Sequence, residues 1–373
     1  MMKIYFFLVA FVSLLLGACT PEPVGTSFIT VSPDGQFMRY GKPYYYVGAN
    51  FWYGAILGSE GEGGNRKRLH KELDFLKSIG VDNLRVLVGA DGENGVKTRV
   101  EPSLQTAPGV YNDTILDGLD YFMNELRRRD MTAVLYLNNS WEWSGGYSMY
   151  LQWSGHGKAV IPAVDGWPAY NNYVKQFHQS DSAKVLFANY VKDIVTRTNR
   201  YNKIKYVDDP TLMSWQIGNE PRAFSDENKE AFARWMTDVA AQIKSLDPNH
   251  LVSSGSEGAW GCEGDITLYE KIHSDPNIDY LNNLLMLKGK ETFMQTKVMS
   301  LYFILLSSGI LLYMYEYTLN SSFTFRLIAY SVLFLWIALN WFVLRPVMIR
   351  KNRRRMDCLI RQIEKIKSQV DEF

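Results

Sequence analysis

Glu220 lies in a sequence context that suits acid–base chemistry. The segment MSWQIGNEPRAF, residues 213–224, is an apolar run that ends in Gly218, Asn219 and Glu220 and is followed by a proline. Because proline cannot donate to a strand ladder, the run predicts a buried strand that stops at this carboxylate. A carboxyl group partly withdrawn from water can act as a general acid near neutral pH, and Asn219 can bond a substrate hydroxyl. The alternative is a solvated or salt-bridged glutamate without a catalytic role.

Alternating strand-like and helical patterns surround this segment. Strand-like runs lie at Tyr44–Phe51, Asn83–Gly89, Thr132–Asn138, Leu212–Ile217, His250–Ser254 and Ile278–Leu281. Helical patterns separate them, such as RKRLHKELDFLKSIG, which places on one face Leu69, Leu73, Leu76 and Ile79. Strands that alternate with helices predict an α/β fold with a parallel sheet. Six units in series, without a Gly-x-Gly-x-x-Gly turn after the first strand, favour a (β/α) barrel over a doubly wound sheet.

In such a barrel the active site forms from the loops that follow the strands. The predicted strand ends carry a set of polar and aromatic residues: Trp52, Arg85, Asn139, Trp141, Trp143, Glu220 and Glu257. Aromatic faces beside polar groups suit a sugar chain, because the C–H faces of sugars stack on rings while their hydroxyls bond Asn, Glu and Arg. A second interpretation, compatible with the first, is that the rings bury one another as a small core.

Composition argues against other classes of function. The formal net charge of +1 gives no reason to expect a nucleic-acid partner. The five histidines and three cysteines show no metal-ligand spacing, so neither a metal nor another cofactor is predicted. The 14% aromatic content, with 10 Trp and 23 Tyr, is high enough to favour a binding surface or a large aromatic core.

Five motifs together resemble glycoside hydrolase family 5, specifically its endo-β-1,4-mannanase branch. They are GANFWYGAIL, NLRVLVGADG, LYLNNSWEWSGGY, MSWQIGNEPRAF and GSEGAWGCEGD, and they occur in the order of the family between Ser27 and Leu281. The resemblance implies a (β/α)8 TIM barrel that hydrolyses internal bonds of β-mannan with retention of configuration and without a metal. A β-1,4-glucanase or cellulase of the same family remains an alternative.

The resemblance also assigns roles to residues. It implies that Glu220 is the acid/base, that Asn219 contacts the 2-hydroxyl of the sugar, and that Arg85 supports the catalytic carboxylates. Four residues match positions that line the cleft: Trp52, Asn139, Trp141 and Trp143. Glu257 lies on a loop that in the family contacts sugar.

The sequence departs from the family after Leu281. Retaining hydrolysis needs two carboxyl groups about 5–5.5 Å apart, and in the family the attacking glutamate ends the seventh strand. No segment after Leu281 resembles barrel strands seven and eight, and Glu257 is the one other candidate nucleophile in the barrel region. We therefore predict an incomplete barrel of about six β/α units over residues 27–281, with the nucleophile absent and hydrolysis impaired. A non-catalytic, surface-anchored mannan-binding protein is the rival from a different class.

The N-terminus predicts export. Residues 1–19 read as a lipoprotein signal peptide, because a short apolar stretch ends in the lipobox-like sequence LGAC, and residues 20–26 as a tether. This predicts lipid attachment at Cys19 and a location in the bacterial cell envelope. An ordinary signal peptide or a core helix with a chance cysteine is the alternative.

The C-terminus predicts a membrane segment. Two charge-free apolar stretches within residues 298–344 predict a hairpin of transmembrane helices, and residues 345–373 a basic tail with a short coiled-coil stripe. Basic residues flank the hairpin and predict that both of its ends are cytoplasmic, which conflicts with an exported barrel. We therefore interpret residues 282–297 as the junction of two unrelated reading frames. The alternatives are buried core helices, a membrane-tethered enzyme, or a membrane protein whose tail carries the function.

Overall fold

The computed structural model describes residues 27–281. Five predicted segments lie outside these residues: the signal peptide with Cys19, the tether 20–26, the junction 282–297, the hairpin 298–344 and the tail 345–373. Within the described range, every helix falls short of the length or apolar character that crossing a bilayer would require. The chain divides into two units, Met1–Leu285 and Met286–Phe373, and all of the described residues belong to the first.

A small antiparallel sheet comes first in the described residues. It consists of β1 (Thr30–Val31), β2 (Phe37–Arg39) and β3 (Lys42–Pro43). Ile29 of this segment packs in an apolar cluster with Val134, Met213 and Leu251, which come from the main sheet. The antiparallel sheet therefore covers one side of the main sheet.

The rest of the described chain alternates strands and helices. In chain order the elements are β4 (Gly48–Asn50), α1 (Gly54–Gly58), α2 (Arg66–Ser78), β5 (Asn83–Leu87), β6 (Gln105–Ala107), β7 (Val110–Tyr111), α3 (Asp113–Arg128), β8 (Thr132–Tyr136), α4 (Gly146–Trp153), α5 (Pro162–Asp165), α6 (Trp167–Val174), α7 (Asp181–Val195), β9 (Leu212–Gln216), α8 (Lys229–Leu246), β10 (Leu251–Ser253) and α9 (Ile266–His273). Strands β6 and β7 form a separate antiparallel pair.

Five of these strands form one parallel sheet in the order β4-β5-β8-β9-β10. This confirms the predicted α/β fold with a parallel sheet. Parallel strands place all of their carboxyl ends at one edge, so the loops that follow β4, β5, β8, β9 and β10 meet there.

The prediction of about six β/α units is wrong for residues 27–281, where the parallel sheet has five strands. The sixth strand was expected at Ile278–Leu281, but these residues form no ladder with β10. The Asp279 backbone N–H donates to the carbonyl of Val252 (2.9 Å), and the Val252 N–H donates to the Asp279 carboxylate (2.6 Å). Because this side chain takes the N–H that a neighbouring carbonyl would need, regular pairing does not develop, and Lys244 neutralises the carboxylate at 2.7 Å.

Helix α3 shows why the helical segments form where the pattern predicts. The Asn112 side chain accepts from the Thr114 N–H and caps its start. Its periodic apolar residues are buried against the sheet: Ile115, Leu119, Phe122 and Leu126. In α2 the predicted apolar face ends earlier than expected. Ile79 is 58% exposed, because the helix ends at Ser78 and Ile79 already caps it.

Candidate active site

Three polar residues from different strands are joined by hydrogen bonds at the carboxyl edge of the sheet. Arg85 of β5 donates to the Asn219 side-chain oxygen at 3.0 Å, and Asn219 donates to the Asn139 side-chain oxygen at 3.2 Å. Arg85 also donates from Nε to Gln216 at 2.6 Å. Since an amide nitrogen carries two N–H groups, Asn219 keeps one donor after its bond to Asn139. The network therefore fixes the orientation of Asn219 and leaves it able to bind a ligand.

Glu220 follows in a strained turn. Its φ of 52° lies in the left-handed region, and its backbone N–H donates to the carbonyl of Gly255 at 3.0 Å. The indole N–H of Trp141 donates to one carboxylate oxygen, Oε2, at 2.7 Å. Within residues 27–281 the other oxygen, Oε1, has no side-chain partner, so it is available to a ligand. The structure thus brings together Arg85, Asn139, Trp141, Asn219 and Glu220.

Trp215, five residues before Glu220 in the chain, points away from it. Side chains alternate between the two faces of a strand, so Gln216 points toward Arg85 and Trp215 toward the helices. Trp215 is fully buried, and its indole donates to Asp247 at 2.7 Å. The aromatic neighbour of Glu220 is Trp141.

A cavity of about 600 Å³ borders Glu220. Among the described residues, its carboxylates besides Glu220 are Glu257 and Asp279. Glu257 forms an ion pair with Arg222, and Asp279 forms one with Lys244 at 2.7 Å. Each of these two carboxylates is therefore paired with a cation.

Trp52 and Trp143 form a separate aromatic pair, with ring centroids 6.2 Å apart in an edge-to-face arrangement. Trp52 is 38% exposed, and neither residue lines the cavity beside Glu220. By contrast, Tyr147 and Tyr150 of α4, in the connection between β8 and β9, are buried in the core. The interpretation as a small core therefore holds for Tyr147 and Tyr150, whereas sugar binding by Trp52 and Trp143 stays a prediction.

Two residues of the site were not singled out from the sequence. Gln216 anchors Arg85, and Arg222 joins the aromatic and acidic groups, because its guanidinium lies 4.9 Å from the ring centroid of Trp141 while it pairs with Glu257. Both lie in the segment 213–224 that drew attention to Glu220. Gln216 lies two residues before Gly218, and Arg222 lies two residues after Glu220. This closeness in the chain was the signal by which the sequence could have identified them.

Asp91 is a buried carboxylic acid in the loop that follows β5, and its burial predicts that the stability of the protein depends on pH. Gln105 donates to its carboxylate at 2.9 Å. Burial raises the pKa of Asp91 from 3.8 to about 7, although Gln105, Arg99 and Tyr150 act in the opposite direction. The folded state therefore holds a proton that the unfolded state has lost, and the free energy of unfolding should fall as the pH rises from about 4 to about 7.

Asp91→Asn should remove that part of the pH dependence. We expect the wild-type chain to lose a few kcal/mol of stability relative to the variant between pH 4 and pH 7, and no more above pH 7. Urea unfolding of both proteins across this range measures the difference. Parallel stability curves would show that Asp91 is not protonated in the folded protein at pH 5.

The chain matches known proteins over the region that contains this site. The family model described as "GH family 5 beta-mannosidase-like" matches residues 26–300, past the junction predicted near Asn282. Mannan endo-1,4-beta-mannosidase 7 of Arabidopsis thaliana is 32% identical over 227 residues, which cover 61% of this chain and 48% of the relative. Mannan endo-1,4-beta-mannosidase 1 of Oryza sativa subsp. japonica is 30% identical over 226 residues, covering 61% and 48%. The chain spans about half the length of the curated relatives it matches.

Solved structures agree with this match. A glycoside hydrolase family 5 mannosidase from Rhizomucor miehei superposes with a TM-score of 0.61 at 36% identity, covering 68% of this chain and 60% of that chain. An endo-1,4-beta-D-mannanase from Thermotoga petrophila, with a TM-score of 0.52 at 23% identity over 63% of this chain and 66% of that chain, shares the fold. The family model covers more than half of the sequence, and the chain has the parallel sheet of a barrel with a glutamate after its fourth strand. This chain therefore belongs to glycoside hydrolase family 5, in its beta-mannosidase-like group.

Proposed function

We propose that this chain acts on β-1,4-mannan as an endo-β-mannosidase, with Glu220 as its proton donor. The observation that carries the proposal is the 2.7 Å bond from the Trp141 indole to Glu220, on the rim of a cavity that also exposes Asn219. The two curated relatives named above are described as mannan endo-1,4-beta-mannosidases, which supports mannan as the substrate class.

Each residue of the network has a distinct task in this proposal. Glu220 delivers its proton to the glycosidic oxygen as the bond from that oxygen to the anomeric carbon breaks, and a water molecule forms the new bond to the anomeric carbon. Asn219, oriented by Arg85 and Asn139, bonds the 2-hydroxyl of the sugar, an interaction that strengthens in the transition state. Arg85 adds a fixed positive charge near the negative charge that develops on Glu220 as its carboxyl group gives up the proton.

Retention of configuration needs a second carboxylate close to the proton donor. Within residues 27–281 the two other carboxylates that line the cavity, Glu257 and Asp279, are both ion-paired. A positioned acid alone gives about 10²–10⁴-fold acceleration, whereas complete enzymes reach about 10⁶-fold or more. We therefore propose that hydrolysis by this chain is slow.

Mannan binding without turnover is the second candidate function. The observation that favours it is the partly exposed pair of Trp52 and Trp143, together with Trp167, which is 57% exposed. Exposed rings of this kind offer flat apolar faces to a polysaccharide whether or not a nucleophile is present.

Affinity electrophoresis of the full chain tests the substrate class. We expect mannan in the gel to retard the protein and soluble cellulose derivatives to have a weaker effect. Trp52→Ala should reduce the retardation, because it removes a stacking face worth about 1 kcal/mol or more. Phe75→Ala, which removes a 62% exposed ring from α2, is the matched control and should not change mobility. Equal or stronger retardation by cellulose would instead support the glucanase alternative.

Lipid attachment at Cys19 and a location in the bacterial cell envelope remain part of the proposal, and residues 298–344, if they belong to the same reading frame, insert in a membrane. They rest on the sequence motifs alone. The sequence relatives named above are plant proteins and lend these features no support.

A further inference from the structure

A buried histidine is hydrogen-bonded to the turn that carries Glu220. His178 is 1% exposed and lies on the short 3-10 helix Lys175–Gln179, in the long connection between β8 and β9. Its Nε2 lies 2.7 Å from the carbonyl oxygen of Arg222. Because a carbonyl oxygen only accepts, Nε2 must carry the hydrogen and donate it.

The second ring nitrogen of His178 fixes its charge state. Nδ1 is buried and has no hydrogen-bond partner among the described residues. A charged imidazole would bury an unpaired N–H there, which is costly, so the neutral form is favoured. Consistent with this, burial lowers the pKa of His178 to about 4. The ring therefore donates one hydrogen bond, to Arg222, throughout the neutral pH range.

The acceptor of that bond lies in a constrained segment. Glu220 and Phe224 both have left-handed φ values, of 52° and 61°. Between them the Arg222 N–H donates to the Ser140 hydroxyl at 3.2 Å. Arg222 is therefore held at both of its backbone polar groups, because its N–H donates to Ser140 and its carbonyl accepts from His178. The peptide groups on both sides of Arg222 consequently have set orientations.

Arg222 connects this anchor to the acid. Its guanidinium covers Trp141, with 4.9 Å to the ring centroid, and pairs with Glu257. Trp141 in turn donates to Glu220 at 2.7 Å. If the Arg222 backbone moved, its guanidinium would no longer cover one face of the Trp141 ring. Trp141 is the residue that holds the Glu220 carboxylate.

Packing alone does not require a histidine at this position. Four aromatic rings surround His178 edge-on, with centroid distances of 5.3–5.7 Å: Tyr147, Phe177, Phe232 and Trp235. An apolar ring would fill such a site without the cost of burying a polar group. The hydrogen bond to Arg222 is the property that an imidazole adds.

We propose that His178 is a positioning residue that sets the place of the Glu220 carboxyl group through Arg222 and Trp141. The catalytic part of this inference rests on the proposed role of Glu220 as proton donor. The geometric part does not, because it concerns the bond between Trp141 and Glu220 whether or not the chain hydrolyses mannan.

The indole N–H of Trp141 reports on that bond in the ¹H–¹⁵N spectrum of the full chain. Loss of one signal in Trp141→Phe assigns it, and Glu220→Gln gives its shift without the carboxylate. We expect His178→Phe to move the signal toward its position in Glu220→Gln. His178→Gln, whose amide can donate from a similar position, should restore it. If His178→Phe is too unstable to give a spectrum, His178→Met serves the same comparison.

Kinetics provide the second readout. We expect His178→Phe to lower kcat on mannopentaose roughly 10- to 100-fold with little change in KM, because a displaced proton donor affects the reaction and not substrate binding. An unshifted Trp141 signal in His178→Phe, accompanied only by a lower melting temperature, would overturn the inference. If the wild-type chain shows no mannan hydrolysis, the proposed function fails, and the Trp141 signal still decides the role of His178.

Discussion

Glu220→Gln should lower the remaining hydrolysis of mannopentaose by about 10²- to 10⁴-fold, the contribution of a positioned general acid. Glutamine has nearly the same shape, and its side-chain oxygen can still accept from the Trp141 indole, which donates at 2.7 Å. It has no acidic proton to give to the leaving oxygen. Release of reducing ends, followed for the full chain and the variant under identical conditions, measures the effect.

An activated substrate separates loss of the proton from loss of structure. A dinitrophenyl β-mannoside has a leaving group that needs no protonation, so Glu220→Gln should affect its cleavage much less than that of mannopentaose. Glu257→Gln is the matched carboxylate control, since Glu257 lines the same cavity but is paired with Arg222. We expect that control to change KM more than kcat, because the glutamine side-chain oxygen can still accept from Arg222. Ordinary turnover by the wild-type chain that vanishes in Glu220→Gln would contradict our account of the second carboxylate.

Gly255→Ala should destabilise the protein by about 4 kcal/mol or more, a large share of a typical stability of about 5–15 kcal/mol. Gly255 has a φ of 77°, and a Cβ there would lie 1.8 Å from the carbonyl oxygen of Gly218. The Gly218 carbonyl belongs to the main chain two residues before Glu220, whose own N–H donates to the Gly255 carbonyl at 3.0 Å. Because the nearest clashing atom is a main-chain oxygen, which no side-chain rotation can move aside, the strand ends must separate. Urea unfolding of the full chain measures the loss.

Gly80→Ala is the control for backbone strain. Gly80 has a φ of 86°, and a Cβ there meets no atom within 4 Å. It should therefore lose only the roughly 1–2 kcal/mol that a left-handed alanine costs. Equal losses in the two variants would show that the contact with Gly218 contributes nothing, and that the strand ends relax around an added methyl group.

The sequence was sufficient to place Glu220, Asn219 and Arg85 at one edge of a parallel sheet. Apolar runs mark the strands, and parallel strands bring their carboxyl ends together, so residues far apart in the chain are predicted to be neighbours. The same reasoning could not identify their partners. Whether Trp215 or Gln216 faces the site depends on which face of the strand turns inward, and both faces of β9 are fully buried.

The strand predicted at Ile278–Leu281, which does not form within residues 27–281, illustrates a different limit. Ile278–Leu281 has the composition of a short strand, and the hydrophobic pattern cannot distinguish a backbone carbonyl from a side-chain carboxylate as acceptor for the Val252 N–H. Asp279 takes that place. The role of His178 was equally hidden, because it depends on a bond to a residue 44 positions away.

The left-handed backbone at Glu220 has a consequence for variation of this protein. Glycine adopts a φ of 52° without strain, whereas glutamate does not, so substitution by glycine would relax the main chain while deleting the acid. Stability therefore favours glycine at position 220, whereas the proposed proton transfer requires glutamate there. A laboratory evolution experiment that rewards heat resistance alone would favour alleles that have discarded the carboxyl group.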